Sequence, residues 1–140
     1  MATYEDRLAE LATRRESAAK KRAATHAEEF ESAVFPLLIG DENLIHVPVP
    51  ECDLGGHILA RPATRVEMSR LKSVFAKDKD KPGATEERAK VSEQLAKGCI
   101  VYPPSDRYEA IVEAHPLVPE AISDAIIGRA KAAAVAEGKR

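Results

Sequence analysis

Residues 3–34 contain neither glycine nor proline and are dominated by Ala, Glu, Arg and Lys, the residue types that lose least in a helix. A breaker-free run of this length fits only one extended helix, so the fold must attach a rod to a smaller body. Thr3 stands where an N-cap belongs, and Asp6, three positions on, completes a capping box; Glu5 and Asp6 also suit the positive end of the helix dipole. Tyr4, Leu8 and Leu11 fall at helical spacing, but only Ala18, Ala19, Ala23 and Ala24 follow before Phe30 and Val34. So weak an apolar stripe predicts that the middle of the rod projects into solvent. Pro36 and Gly40 in "FPLLIGDEN" are expected to close it.

The pattern then changes period. In "LIHVPVPECDLGGHILARP", Ile45, Val47 and Val49 alternate with His46 and Pro48, and Ile58 and Leu59 follow a Gly-Gly pair, which reads as a β-hairpin. Pro48 and Pro50 lack amide donors, so the first strand must lie at an edge or leave the ladder early, and the sheet must be small. Thr64 and Glu67 form a second capping box ahead of a helix carrying Met68, Leu71 and Phe75, which ends near Ala76. "KDKDKPGA" reads as a charged surface loop. The next helix is expected over 85–97 with Gly98 just past its end, followed by the apolar segment Cys99–Tyr102. Ser105 is expected to cap a short helix with Tyr108, Ile111 and Val112, which His115-Pro116 stops. Pro119 suits the first turn of a last helix striped by Ala121, Ile122, Ala125 and Ile126. Beyond Ala130, "KAAAVAEGKR" has little to bury and is expected to fray.

The predicted fold class is therefore α+β and mainly helical: a long N-terminal helix, a small antiparallel hairpin or sheet, and a bundle of about four short helices. The expected organisation is a helix and anchor over 1–40, a small domain over 41–130 and a tail over 131–140. With aromatics at only 4% and no Trp, the core must be built from Ile, Val, Leu and Ala. A net charge of -2 supplies no field that would favour nucleic acid or an anionic membrane. No apolar run approaches the roughly 18 residues of a membrane span, and Cys52 and Cys99 are too far apart to suggest a disulfide framework, so a cytosolic protein with free thiols is expected.

Chemistry finds few footholds. His46, Cys52 and His57 could supply metal ligands, but no fourth ligand or CxxC spacing accompanies them; solvated hairpin residues are the expectation, and no metal or cofactor is predicted. Cys99 with His115 could form a nucleophile pair, yet the apolar neighbours in "GCIVY" would raise the thiol pKa. Gly55-Gly56 lacks the Lys-Ser/Thr of a phosphate loop, and no serine sits in a G-x-S-x-G setting. No catalytic residue is assigned. The basic run Arg14, Arg15, Lys20, Lys21 and Arg22 is the best case for nucleic acid, but helical spacing spreads it around the rod among Glu10, Glu16 and Glu28, which favours i,i+4 ion pairs instead.

The order of "VPVPE", "ILARPATRVEMSRL", a charged loop and "LAKGCIVYPPSDRYEAIVEAHPLVPEAISDAI", over residues 44–130, resembles the tail assembly chaperones of long-tailed bacteriophages. The likeness implies a non-enzymatic protein of the bacterial host cytoplasm, missing from the mature virion. Its implied partners are the tape measure protein, whose long helical chain it keeps soluble, and the major tail protein, whose polymerisation it assists. A longer product made by frameshifting near Gly138-Lys139 is a further implication. An amphipathic partner helix needs an apolar face to lie on, and Phe75, Ile111, Val112, Ile122 and Ile126 are the partner-binding candidates, with core filling as their alternative role. The other functional readings are a structural component of a phage particle and a nucleic-acid-binding accessory protein using the basic helix. A second copy is another conceivable partner, although Leu8 and Leu11 make a short coiled-coil seam.

Overall fold

Thr3 accepts from the Asp6 amide while the Asp6 carboxylate accepts from the Thr3 amide, and this capping box opens a helical rod that runs without a break to Gly40. The computed structural model describes residues 1–138, with side chains described as far as Val135. The rod has three parts: α1 (Tyr4–Glu29), a π-helical turn over Phe30–Val34, and α2 (Phe35–Gly40). Of the two residues expected to close the rod, Pro36 is passed and Gly40 is where it ends. The Phe35 amide reaches back to the Phe30 carbonyl, and this wider turn immediately before Pro36 gives the ring, which has no N–H to donate, room to continue the helix.

Three short strands follow in the spatial order β1-β2-β3: β1 (Ile45–Pro48), β2 (His57–Ala60) and β3 (Ile100–Tyr102), all antiparallel. Ile45 faces Ala60 and Pro48 faces His57, so β1 is an edge strand, as its prolines require. The apolar segment after Gly98 supplies the third strand. All four residues of β2 are buried, because the sheet is covered on both faces. Ile45, Val47, Ile58 and Ala60 point into the main core with Leu71, Leu95, Ile111, Ile122 and Ile126. Leu44 and Leu59 point the other way, onto Val34, Phe30 and Leu38 of the rod. The molecule is thus a rod, a sheet and a helical bundle in three layers.

The bundle comprises α3 (Arg65–Phe75), α4 (Ala84–Cys99), α5 (Ser105–Ala114) and α6 (Val118–Gly138). α4 starts behind Gly83 at φ 80° and passes through Gly98 to Cys99, so Gly98 does not terminate it; β3 pairing takes over at the next residue. α5 begins with Pro104 in the capping position and Ser105 already helical, without the expected side-chain cap. α6 stays helical to Gly138, past the point where fraying was expected; Lys139 and Arg140 lie outside the described residues.

Glu67 does two jobs at the start of α3. It closes the capping box with Thr64 and forms a two-pronged ion pair with Arg61, whose guanidinium also donates to the Gly98 carbonyl and so ties α3 to the end of α4. The Arg61 hydrogen bonds hold the Glu67 carboxyl at about 2. A carboxylate depressed in the folded state stabilises the fold above its unfolded value near 4.5 and loses that contribution as pH falls toward 2. Glu67→Gln is expected to cost about 1–2 kcal/mol at neutral pH and to flatten the acid limb between about pH 4.5 and 2, as read by urea unfolding across that range.

Candidate functional site

A mostly apolar concavity lies beside the edge strand. Val47, Pro48, Val49, Pro50 and Glu51 form one wall, and the α5–α6 connection from Ala114 to Val118, with Ala121, forms the other, enclosing about 430 Å³. Both walls follow from local chemistry. Pro48 and Pro50 cannot donate to a further strand, which leaves this margin of the sheet uncovered. On the other side, His115 before Pro116 leaves helical geometry at φ -134° and ψ 81°, as a residue preceding proline tends to do. The chain then turns through Leu117, which is 74% exposed, into α6. The groove carries one carboxylate, Glu51, and one imidazole, His115, and is otherwise greasy.

The structure separates the residues expected to bind a partner. Ile111, Ile122 and Ile126 are interior, at 0%, 0% and 1% exposure, and are corrected from binding candidates to core. They sit where α5 and α6 pack on the sheet, so their stripe is spent on the chain's own interior. Val112 is half-buried and packs against that core. Phe75 is the exposed one, at 42%, but Arg88 lies over its ring at 5.1 Å and donates to the carbonyls of Phe75 and Lys77. In the groove itself, sequence reasoning passed over the exposed Leu117, whose place between Pro116 and Pro119 marks it as belonging to a turn.

The hairpin residues are not solvated, which corrects another expectation. Cys52 is fully buried and His57 is 9% exposed. His46 Nε2 lies 2.9 Å from His57 Nδ1, His57 Nε2 is 2.8 Å from the His26 carbonyl, and His26 Nε2 is 2.7 Å from the Cys52 carbonyl. Phe30 packs on both hairpin imidazoles. Cys52 thus enters through its backbone, not its sulfur, and among the described residues no group of three His, Cys, Asp or Glu side chains is arranged to hold a metal. Beside this seam, Glu29 accepts from the Gly56 amide and pairs with Arg107, which also donates to the Leu54 carbonyl and the Tyr102 hydroxyl.

Cys99 is buried, and burial pushes its thiol up to about 11. Its sulfur points to the Glu67 carboxylate at 3.7 Å, whereas His115 lines the groove; a protonated thiol so placed is a poor nucleophile. On the rod, Arg14 pairs with Glu10, Lys20 with Glu16 and Arg22 with Asp53, so three members of the basic run already have carboxylate partners. Residues 4–21 are exposed throughout, a projecting arm of about 27 Å at 1.5 Å per residue. Among the described residues no helix is long and apolar enough to cross a membrane. The chain matches no family model, no curated protein and no solved structure.

Proposed function

We propose that this chain is a non-enzymatic tail assembly chaperone of a long-tailed bacteriophage, which seats an amphipathic stretch of the tape measure protein in the groove beside β1 and assists polymerisation of the major tail protein around it. The observation that carries the reading is where the resembling motifs meet: "VPVPE" and "AHPLVPEA", distant in the chain, form the two walls of one mostly apolar groove. A helix lying there would bury apolar surface worth about 25 cal/mol per Å². It would need no catalytic group. In this reading the chaperone acts in the host cytoplasm and leaves before the virion matures.

Coexpression with the tape measure gene product tests it. Leu117 is exposed and contributes little to the fold, so Leu117→Asp is expected to change stability by less than about 0.5 kcal/mol. In the groove it would place a charge against the apolar partner and is expected to reduce the soluble fraction of that partner at least tenfold, a cost of about 1.4 kcal/mol or more in binding. A partner equally soluble with and without the wild-type chain would end the proposal.

A second reading draws on the arm of residues 4–21, which projects free of the body and could pack into a larger particle as a structural component. Finding the chain in purified mature virions would favour that reading over the chaperone.

A further inference from the structure

Three of the four histidines meet where the rod crosses the sheet, and their protons can be assigned from their partners. A carbonyl only accepts, so His57 must carry hydrogen on Nε2 to donate to the His26 carbonyl, and His26 must carry hydrogen on Nε2 to donate to the Cys52 carbonyl. In neutral His57 the Nδ1 atom is then an acceptor, and His46 Nε2–H donates to it. Every ring nitrogen in this chain of bonds has one role, and the roles hold only while the pair is not fully protonated. One added proton can sit on His46 Nδ1 with the bond intact. A second, on His57 Nδ1, would aim N–H at N–H across 2.9 Å and set two cations with ring centroids 5.1 Å apart.

Among the described residues, the carboxylates beside the seam are already engaged. From the rod, Glu29 is engaged by the Gly56 amide and by Arg107 of α5, and Arg22 pairs with Asp53 of the hairpin turn. The other titratable groups beside the seam are His26 and the Tyr102 phenol of β3, which is bonded to Arg107; Cys52 contributes its carbonyl, its side chain packing in the main core. The remaining wall is the Phe30 ring. Beyond these polar ties the rod has a small apolar patch: it contains three buried residues, Val34, Leu44 and Leu59, against fourteen in the main core. A layer with so small a core opens at lower cost than the whole molecule.

We propose that the His26–His57–His46 seam is an acid-operated hinge, in which double protonation of the His46–His57 pair uncouples residues 26–40 from the sheet while α3–α6 stay folded. The device changes the direction of the 4–21 arm relative to the body and does not depend on what the groove binds. Burial, and then the neighbouring His57 charge, hold His46 below its ordinary value of 6.5. A group depressed in this sense makes the docked form take up protons less readily than the released form, so docking is strongest above 6.5 and weakens as pH falls below it.

Hydrogen–deuterium exchange of the full chain at about pH 7.5 and about pH 5.5, corrected for intrinsic exchange, tests the hinge. Amides of residues 26–40 are expected to lose protection about tenfold or more on acidification, while those of α4 and α6 change less than about threefold. His46→Gln keeps an N–H that can reach His57 but cannot titrate, and is expected to abolish the acid response; His115→Gln, outside the seam, is expected to preserve it. The lower of the two NMR titration midpoints of the His46–His57 pair in the wild-type chain, where the second proton is taken up, should coincide with the midpoint of the exchange change, and this holds the test open should His46→Gln already open the seam at neutral pH. Unchanged protection of 26–40, loss of protection everywhere at once, an undiminished response in a docked His46→Gln, loss of the response in His115→Gln, or midpoints that disagree would each overturn the hinge.

Discussion

Ile122→Ala is expected to destabilise the chain by about 3–4 kcal/mol, the ordinary cost of a cavity at a site that cannot collapse. Ile122 is wholly buried between α6 and the sheet, within a cluster that includes Ile58, Ile111 and Ile126. Thermal unfolding followed by circular dichroism should show a melting point lower by on the order of 10–15 °C. The same variant, kept well below its melting point, should still keep a tape measure fragment soluble if the groove is the seat, because Ile122 does not line it. Leu117→Asp should show the reverse pattern, with stability retained and partner solubility lost. The two substitutions together separate the role of the stripe in the interior from that of a residue open to a partner.

Gly56→Ala is expected to cost about 2–4 kcal/mol, and its effect should be concentrated in the rod. A methyl group there would meet the His26 ring at 2.3 Å, too close for any contact to survive without movement. His26 cannot simply swing away, since its ring is buried and bonded to the Cys52 carbonyl, while the Gly56 amide is committed to Glu29 and the Gly56 carbonyl to the Val49 amide. The helix must therefore lift, loosening the His57 bond to the His26 carbonyl as well. Urea unfolding should report the loss of stability, and amide exchange should localise it to residues 22–40. A uniform loss across α3–α6 would mean that the turn supports the body and not the rod.

Capping and breaking were legible residue by residue. Thr3 with Asp6 and Thr64 with Glu67 opened helices where expected, and His115-Pro116 ended one, because each depends on neighbours within four positions. The same local logic failed at Pro36, Gly98 and Ser105, where a π-turn, strand pairing and a proline cap overrode propensity. The candidate site was legible only in part. "VPVPE" and "HPLVPEA" stood out in the chain, but nothing local to either says that they face each other across one groove.

The order and type of the elements, the exclusion of β1 from a fully paired central position and the poverty of the rod's apolar face were set by sequence alone, since periodicity and backbone chemistry act over short range. Which apolar stripe is interior and which is open, and that three histidines far apart in the chain share one line of protons, was decided by tertiary packing. A stripe of isoleucines has the same spacing whether it faces its own sheet or a partner, and only the layer laid against it determines whether water still reaches it.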